Sequence, residues 1–154
     1  MKRWIKLLVF YPLEFVGAII FISLFWMLPF RVASGLGGSV AKAIGPLLGV
    51  SNIARRNLKA AFPDISQERM EEIVAGMWKN LGRTIGEYPA LRHLNVWKKN
   101  SPLEIVNAHI LEEMHVDGKP ALLFLGHLGN WEYATLPAVQ KNIPVAQLFR
   151  TLNN

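Results

Sequence analysis

An apolar run at residues 121–125, ALLFL, is followed directly by the sequence GHLGNWE at residues 126–132. The sequence DGKP precedes the run at residues 117–120, so turn-forming residues bound it on both sides. A short apolar run with such boundaries predicts a buried β-strand. A helix at about residues 130–140 and a second strand at residues 145–149 complete a strand–helix–strand unit, whose strands are expected to be parallel. The sequence therefore predicts an α/β fold.

The chain before this unit is predicted to be mainly helical. Apolar residues recur at helical spacing from Met70 to Ile85, Ser66 is a suitable N-cap, and Pro89 favours a helix end near residues 87–88. Short helices are expected at residues 51–61, 91–99 and 108–114, and a short strand at residues 103–106. We predict three parts: a membrane anchor at 1–32, a helical segment at 33–100, and the N-terminal part of an α/β catalytic core at 101–154.

The N-terminal stretch from residue 7 to residue 30 is almost entirely apolar. As a helix its 24 residues would be about 36 Å long, against roughly 30 Å for the hydrocarbon core of a bilayer. This predicts a membrane anchor that either spans the bilayer or is partly embedded in it. A cleaved signal peptide is the alternative, since Ala33, Ser34 and Gly35 are small, but no A-x-A cleavage sequence follows.

Composition and charge narrow the classes of function. Of 154 residues, 51% are hydrophobic and 18% are charged, which excludes a disordered chain. The absence of cysteine excludes a disulfide scaffold, a thiolate metal site and a cysteine nucleophile. Residues 31–63 contain five basic residues and no acidic one. Three of these, Arg55, Arg56 and Lys59, form what we call the basic cluster, which predicts either a solvated helix face or binding to anionic lipid. Nucleic acid is disfavoured because residues 64–154 carry a slight net negative charge.

His127 and Glu132 are the residues best placed for catalysis. They lie between the predicted strand and the following helix, where ligands bind in parallel α/β sheets. A histidine can act as a general base near neutral pH, and a carboxylate can hold its ring and stabilise the imidazolium. The alternative is purely structural: a histidine that ends a strand and a glutamate that favours a helix N-terminus. A metal site is not predicted, because the sequence has no HExxH motif and the other histidines lack ligand spacing.

The sequence GHLGNWE resembles the H-x4-D/E motif of the lysophospholipid acyltransferase superfamily. More narrowly, it is similar to the late acyltransferases of lipid A biosynthesis, the lauroyl or myristoyl transferases of Gram-negative inner membranes. Further similar stretches are the N-terminal anchor, ARRNL at 54–58, FP at 62–63, NLGR at 80–83 with Glu87, and FRTLNN at 149–154. The last is similar to the Tyr-Arg-Pro segment of that family, with Phe149 in place of Tyr and Thr151 in place of Pro.

The resemblance implies a role for each matching residue. His127 becomes the base that deprotonates an acceptor hydroxyl, Glu132 orients His127, and Arg150 binds phosphate or stabilises the developing oxyanion. Arg55, Arg56 and Lys59 become candidates for contact with head groups or acceptor phosphates. The implied donor is an acyl thioester on acyl carrier protein, and the acceptor is a hydroxyl of a lipid A precursor. No cofactor is implied.

The resemblance also implies a place in the cell, the bacterial inner membrane, with the active face on the cytoplasmic side. Because members of that family are usually longer, we expect this chain to be an N-terminal portion of such an enzyme. Two alternatives remain open at this point. One is a hydrolase in which the same histidine activates water. The other is a catalytically silent, membrane-tethered fragment or interaction module.

Overall fold

The structure is a computed structural model that describes residue 4, residues 6–126 and residues 128–148. It divides into two compact units, residues 1–92 and residues 93–154. The described residues form helices, turns and coil, and no β-strand occurs among them. The predicted α/β fold with a parallel strand–helix–strand unit is therefore wrong for the described part of the chain. The division at 1–32, 33–100 and 101–154 stays a prediction.

The first unit is a succession of helices. A π-helical turn at Lys6–Phe10 leads into α1 (Tyr11–Trp26), which is followed by α2 (Phe30–Ile44) and a 3-10 turn at Gly45–Leu47. Helix α3 (Ser51–Ala61) and the longest helix, α4 (Gln67–Glu87), come next. Ser66 caps α4 as predicted, since its hydroxyl accepts a hydrogen bond from the Arg69 amide at 3.2 Å. A 3-10 turn at Tyr88–His93 follows α4 in place of the short helix expected at 91–99.

Small residues allow α2 and α4 to pack with their backbones in contact. A Cβ atom added to Gly82 would lie 2.3 Å from the carbonyl oxygen of Gly37 and 2.4 Å from the Cβ of Ala41. One turn further along α4, a Cβ atom on Gly86 would lie 2.6 Å from the carbonyl oxygen of Ala33. Pairs of small residues four apart are the usual means by which two helices approach this closely.

Buried polar side chains join α4 to the start of α2 at one end and to the start of α3 at the other. Near the start of α2, the hydroxyl of Ser34 donates a hydrogen bond of 2.5 Å to the buried carboxylate of Glu87. At the other end, the hydroxyl of Ser51 donates to the carbonyl oxygen of Gly45 at 2.6 Å and accepts from the Trp78 indole at 2.8 Å. Buried polar groups that are paired in this way set the register of the helices.

The apolar N-terminal stretch forms a helix. Residues Leu8–Trp26 have a mean hydropathy of 2.1, and none of this 19-residue segment is buried within the structure. By length and composition it is able to cross a membrane, which agrees with the predicted anchor.

The second unit contains α5 (Ala108–Val116), a 3-10 turn at Trp131–Thr135 and α6 (Leu136–Gln140). Helix α5 confirms the helix predicted at 108–114, whereas the helix predicted at 130–140 begins as a 3-10 turn. The apolar run at 121–125 is not a strand but exposed coil, with Leu122 81% and Phe124 91% exposed. Residues 103–106 and 145–148 are not strands either, and Phe149 lies outside the described residues.

The failure of the strand predictions has a physical reason. A strand is stabilised by hydrogen bonds to a neighbouring strand, and no such neighbour is present in the described part of the chain. A local apolar pattern cannot supply this partner, so the apolar run remains coil.

Candidate functional site

The described residues of the GHLGNWE motif form a loop and the beginning of a helical turn. Gly129 has a positive φ of 59°, a backbone conformation that favours glycine. The side chain of Asn130 accepts a hydrogen bond from the Glu132 amide at 3.2 Å and so caps the 3-10 turn Trp131–Thr135. Sequence reasoning did not single out Asn130, although an asparagine directly before a helical segment is a capping signal.

Of the two principal catalytic candidates, His127 and Glu132, the structure describes Glu132. Glu132 is half-buried and lies in the first turn of the helical segment that Asn130 caps. His127 and Arg150 lie outside the described residues, so their roles stay predictions.

A pocket of about 370 Å³ borders the motif within the second unit. This volume is in the usual range for small-molecule sites. Most of its lining side chains are apolar, and the motif contributes Gly126, Leu128, Asn130 and Trp131. The remaining wall comes from Val96, Leu103, Glu104, Ile105, Val106, Leu125, Tyr133, Ala134 and Pro137. The described part of the motif therefore borders an open, mostly apolar pocket, and sequence reasoning did not identify the part of its wall at residues 96 and 103–106.

Contacts from α6 hold one wall of this pocket. The side-chain amide of Gln140 accepts a hydrogen bond from the Val96 amide at 3.0 Å and donates one to the Leu94 carbonyl oxygen at 2.6 Å. The indole of Trp97 donates to the carbonyl oxygen of Pro137 at 3.3 Å. Val96 is only 5% exposed, so this segment is fixed to α6 and presents a buried side chain to the pocket.

The basic cluster lies on α3 in the first unit. Arg55 forms a two-pronged ion pair with Glu71 of α4: its Nε and Nη2 atoms each donate at 2.7 Å to one carboxylate oxygen. Nη2 also donates to the carbonyl oxygen of Pro46 at 2.9 Å, and Nη1 to the side chain of Asn52 at 3.1 Å. This geometry is the strong bidentate form of an arginine–carboxylate pair.

The electrostatics of the cluster follow from this pair. The hydrogen bond from Arg55 lowers the pKa of Glu71, and its positive charge adds to the effect. The hydrogen bond to Glu71 raises the pKa of Arg55 in turn. Both groups are therefore charged at neutral pH, and Arg55 ties α3 to α4. The side chains of Arg56 and Lys59 are exposed. Anion binding by the cluster stays a prediction, in which these two side chains are the more accessible.

The sequence matches the family model of the bacterial lipid A biosynthesis acyltransferases over residues 3–154. No curated protein and no solved structure matches the sequence.

Proposed function

This chain belongs to the bacterial lipid A biosynthesis acyltransferase family, and we propose that it transfers a fatty acyl chain from acyl carrier protein to a hydroxyl of a lipid A precursor. Membership of an acyltransferase family supports the class of reaction. The pocket is the observation that supports this site. Its lining includes Gly126 and Leu128, the residues directly before and after His127. A fatty acyl chain bound there would have its reactive end beside the motif.

In the proposed reaction His127 acts as the general base. It removes the proton of the acceptor hydroxyl while the hydroxyl oxygen attacks the thioester carbonyl carbon. The carbon–sulfur bond then breaks, and His127 returns the proton to the leaving thiolate. Glu132 orients the imidazole and stabilises its charged form. Arg150 binds an acceptor phosphate or stabilises the oxyanion. The transfer is direct, with no acyl-enzyme and no cofactor.

The proposed place of the reaction is the cytoplasmic face of the bacterial inner membrane. The apolar helix Leu8–Trp26 supports attachment to a membrane. The cytoplasmic face follows from the proposed donor, since acyl carrier protein is found on that side. An anionic membrane surface is the proposed partner of the basic cluster.

An acyl-transfer assay tests the proposal directly. The protein, in neutral detergent micelles, is mixed with acyl carrier protein thioester and a lipid A precursor, and the masses of the products are measured. An increase in acceptor mass by one acyl group supports the transferase. Release of free fatty acid with no change in the acceptor would instead indicate a hydrolase. Binding of both substrates without turnover would indicate a silent module.

We expect the protein to stay with membranes through washing with high salt and with alkaline carbonate. These treatments remove proteins that are held by charge alone, whereas the exposed apolar surface of α1 favours the hydrocarbon. Immunoblotting of the pellet and supernatant is the measurement. Recovery of the protein in the supernatant, or a mature N-terminus that begins near Gly35, would contradict the prediction.

We expect the double change Arg56→Gln and Lys59→Gln to weaken the preference of the protein for anionic over neutral vesicles. A basic residue near an anionic surface contributes about 1 kcal/mol, so the loss of two should reduce the preference about thirtyfold. The measurement is the ratio of the two partition coefficients, in which the contribution of the apolar anchor cancels.

The expected loss should shrink in 1 M salt, where the screening length is about 3 Å. Arg55→Gln provides a contrast, because Arg55 is paired with Glu71. This variant should lower the melting temperature and leave the preference for anionic vesicles nearly unchanged. An unchanged preference in the double variant at low salt would make the cluster a solvated helix face.

A further inference from the structure

Helix α2 has an exposed apolar face besides the face that packs against α4. Its buried residues, Ala33, Ser34 and Gly38, contact the neighbouring helix. A row of larger apolar side chains follows at intervals of four residues, and each of them is about half exposed. This row, which we call the α2 stripe, consists of Val32, Leu36, Val40 and Ile44. At about 100° per residue it covers a sector of roughly 120°.

A polar and basic sector borders the α2 stripe on the side away from α4. On the same helical projection, Arg31, Gly35, Ser39 and Lys42 fall within about 80° of one another. All four residues are exposed. Arg31 and Lys42 are the charged residues of α2, so the charge on this edge of the helix is positive. Helix α2 therefore combines a packed face, an apolar face and a basic edge.

The α2 stripe is continuous with the membrane anchor. Only residues 27–29 separate the end of α1 from the start of α2, and Pro29, with φ −56° and ψ 141°, forms the corner. Helix α4 also reaches the anchor. Its end, with the turn that follows, forms an apolar groove of about 580 Å³ together with the middle of α1, lined by Gly17, Ala18, Phe21, Ile22, Ile85, Tyr88 and Pro89.

This groove brings the end of α4 next to the middle of the apolar helix. Gly17 and Ala18 lie at the midpoint of the segment Leu8–Trp26. If that segment is embedded, the end of α4 lies beside hydrocarbon rather than water. The start of α2 packs against the same end of α4, through Ala33 and Gly86. The exposed apolar surface of α2 therefore begins close to the end of the exposed apolar surface of α1.

We propose that the α2 stripe is a second membrane-contacting surface, which lies in the hydrocarbon boundary of an anionic bilayer while Arg31 and Lys42 contact the head groups. The inference rests on the proposed membrane attachment through α1. An amphipathic helix with a basic edge is the usual form of a helix that lies in the plane of a membrane surface. Long basic side chains reach from such a helix to the lipid phosphates.

A second copy of this chain fits the α2 stripe less well than a bilayer. A symmetric contact would place the same surface of both copies face to face. Arg31 and Lys42 of the two chains would then come together with no acidic residue from residues 31–63 to pair with them. Anionic lipid, by contrast, is complementary to this edge.

Site-directed labelling tests the inference in the full chain, which has no native cysteine. Single variants Leu36→Cys and Val40→Cys, each labelled with a fluorophore, report on the α2 stripe. Ser39→Cys is the matched control on the polar sector of the same helix, and Val16→Cys reports on the exposed surface of the anchor. The proteins are reconstituted into vesicles of phosphatidylcholine and phosphatidylglycerol. Two quenchers are compared: lipid with a nitroxide on its acyl chain, and iodide in the water.

At positions 36 and 40 we expect the nitroxide lipid to remove most of the emission, as at position 16, and iodide to have little effect. At position 39 we expect iodide to remove most of the emission and the nitroxide lipid to have little effect. Quenching at 36 and 40 by iodide but not by lipid, with position 16 still quenched by lipid, would overturn the inference and leave membrane attachment intact. Protection of 36 and 40 from both quenchers would also overturn it, because a protein surface would then cover the stripe. If position 16 is also unaffected by the lipid quencher, membrane attachment itself fails together with the inference.

Discussion

Replacing His127 with alanine should lower the rate of acyl transfer by about 10²–10⁴-fold, the usual contribution of a general base. Binding of the lipid acceptor should persist, because a general base acts on the hydroxyl only after the acceptor is bound. The measurements are the initial rate with acyl carrier protein thioester, the affinity for the acceptor and the melting temperature. In a longer polypeptide that contains this sequence, the same substitution should have the same effect.

The Glu132 variants separate two roles of the carboxylate. Glu132→Ala should also be severe, and the double variant with His127→Ala should be little worse than the worse single variant, because groups that act as a unit are strongly non-additive. Glu132→Gln keeps the size of the side chain and an acceptor oxygen but removes the charge. A large loss in this variant would point to stabilisation of the imidazolium, whereas a small loss would point to orientation alone.

Two matched controls belong to the same experiment. His109→Ala and Glu113→Gln change the same residue types at exposed positions of α5, in the same unit but away from the pocket. Both should retain the wild-type rate. A purely structural role for His127 and Glu132 predicts instead that activity falls in proportion to the melting temperature. A His127→Ala variant that folds normally and retains near wild-type transfer would refute the proposed mechanism.

The sequence predicted α3, α4 and α5 well, since their signals are local, whereas the helix expected at 91–99 is absent and α2 was not predicted. The apolar spacing from Met70 to Ile85 and the capping hydroxyl of Ser66 both lie within the helix that they define or next to it. The strands were wrong because their signal is not local: the run at 121–125 has the composition of a buried strand but no paired neighbour in the described residues. Composition favours burial of such a run, and only a partner strand can provide the hydrogen bonds.

The same difference between local and long-range signals explains which parts of the site could be predicted. The motif at 126–132 is contiguous, so the sequence could place Glu132 close to the candidate base. The wall at residues 96–106 and the contact of Gln140 with Val96 join residues far apart in the chain, and no periodic pattern reveals them. The pairing of Arg55 with Glu71 is likewise a contact between two helices. Sequence reasoning therefore identified a charged cluster but not which of its members is already paired.

Alanine substitutions at two glycines of α4 should change the free energy of unfolding in opposite directions. Gly82→Ala should destabilise the protein by about 1–3 kcal/mol, the usual cost of adding volume to a tightly packed contact. The added Cβ would lie 2.3 Å from the carbonyl oxygen of Gly37, which is backbone and cannot turn away. Gly76→Ala is the matched control, because a Cβ atom there meets no neighbour within 4 Å. It should stabilise the protein by up to about 1 kcal/mol, since alanine favours a helix over glycine.

Denaturant unfolding in neutral detergent, followed by circular dichroism, measures both changes. A third variant shows which contact is responsible. In Gly82→Ala the new methyl group also approaches the Cβ of Ala41 at 2.4 Å, and adding Ala41→Gly removes that side-chain contact but not the one with the Gly37 backbone. We therefore expect Ala41→Gly to rescue Gly82→Ala only in part. Full rescue would show that the side-chain contact alone keeps the helices apart. Equal effects of Gly82→Ala and Gly76→Ala would mean that α2 and α4 do not pack through their backbones, because only that close contact distinguishes the two positions.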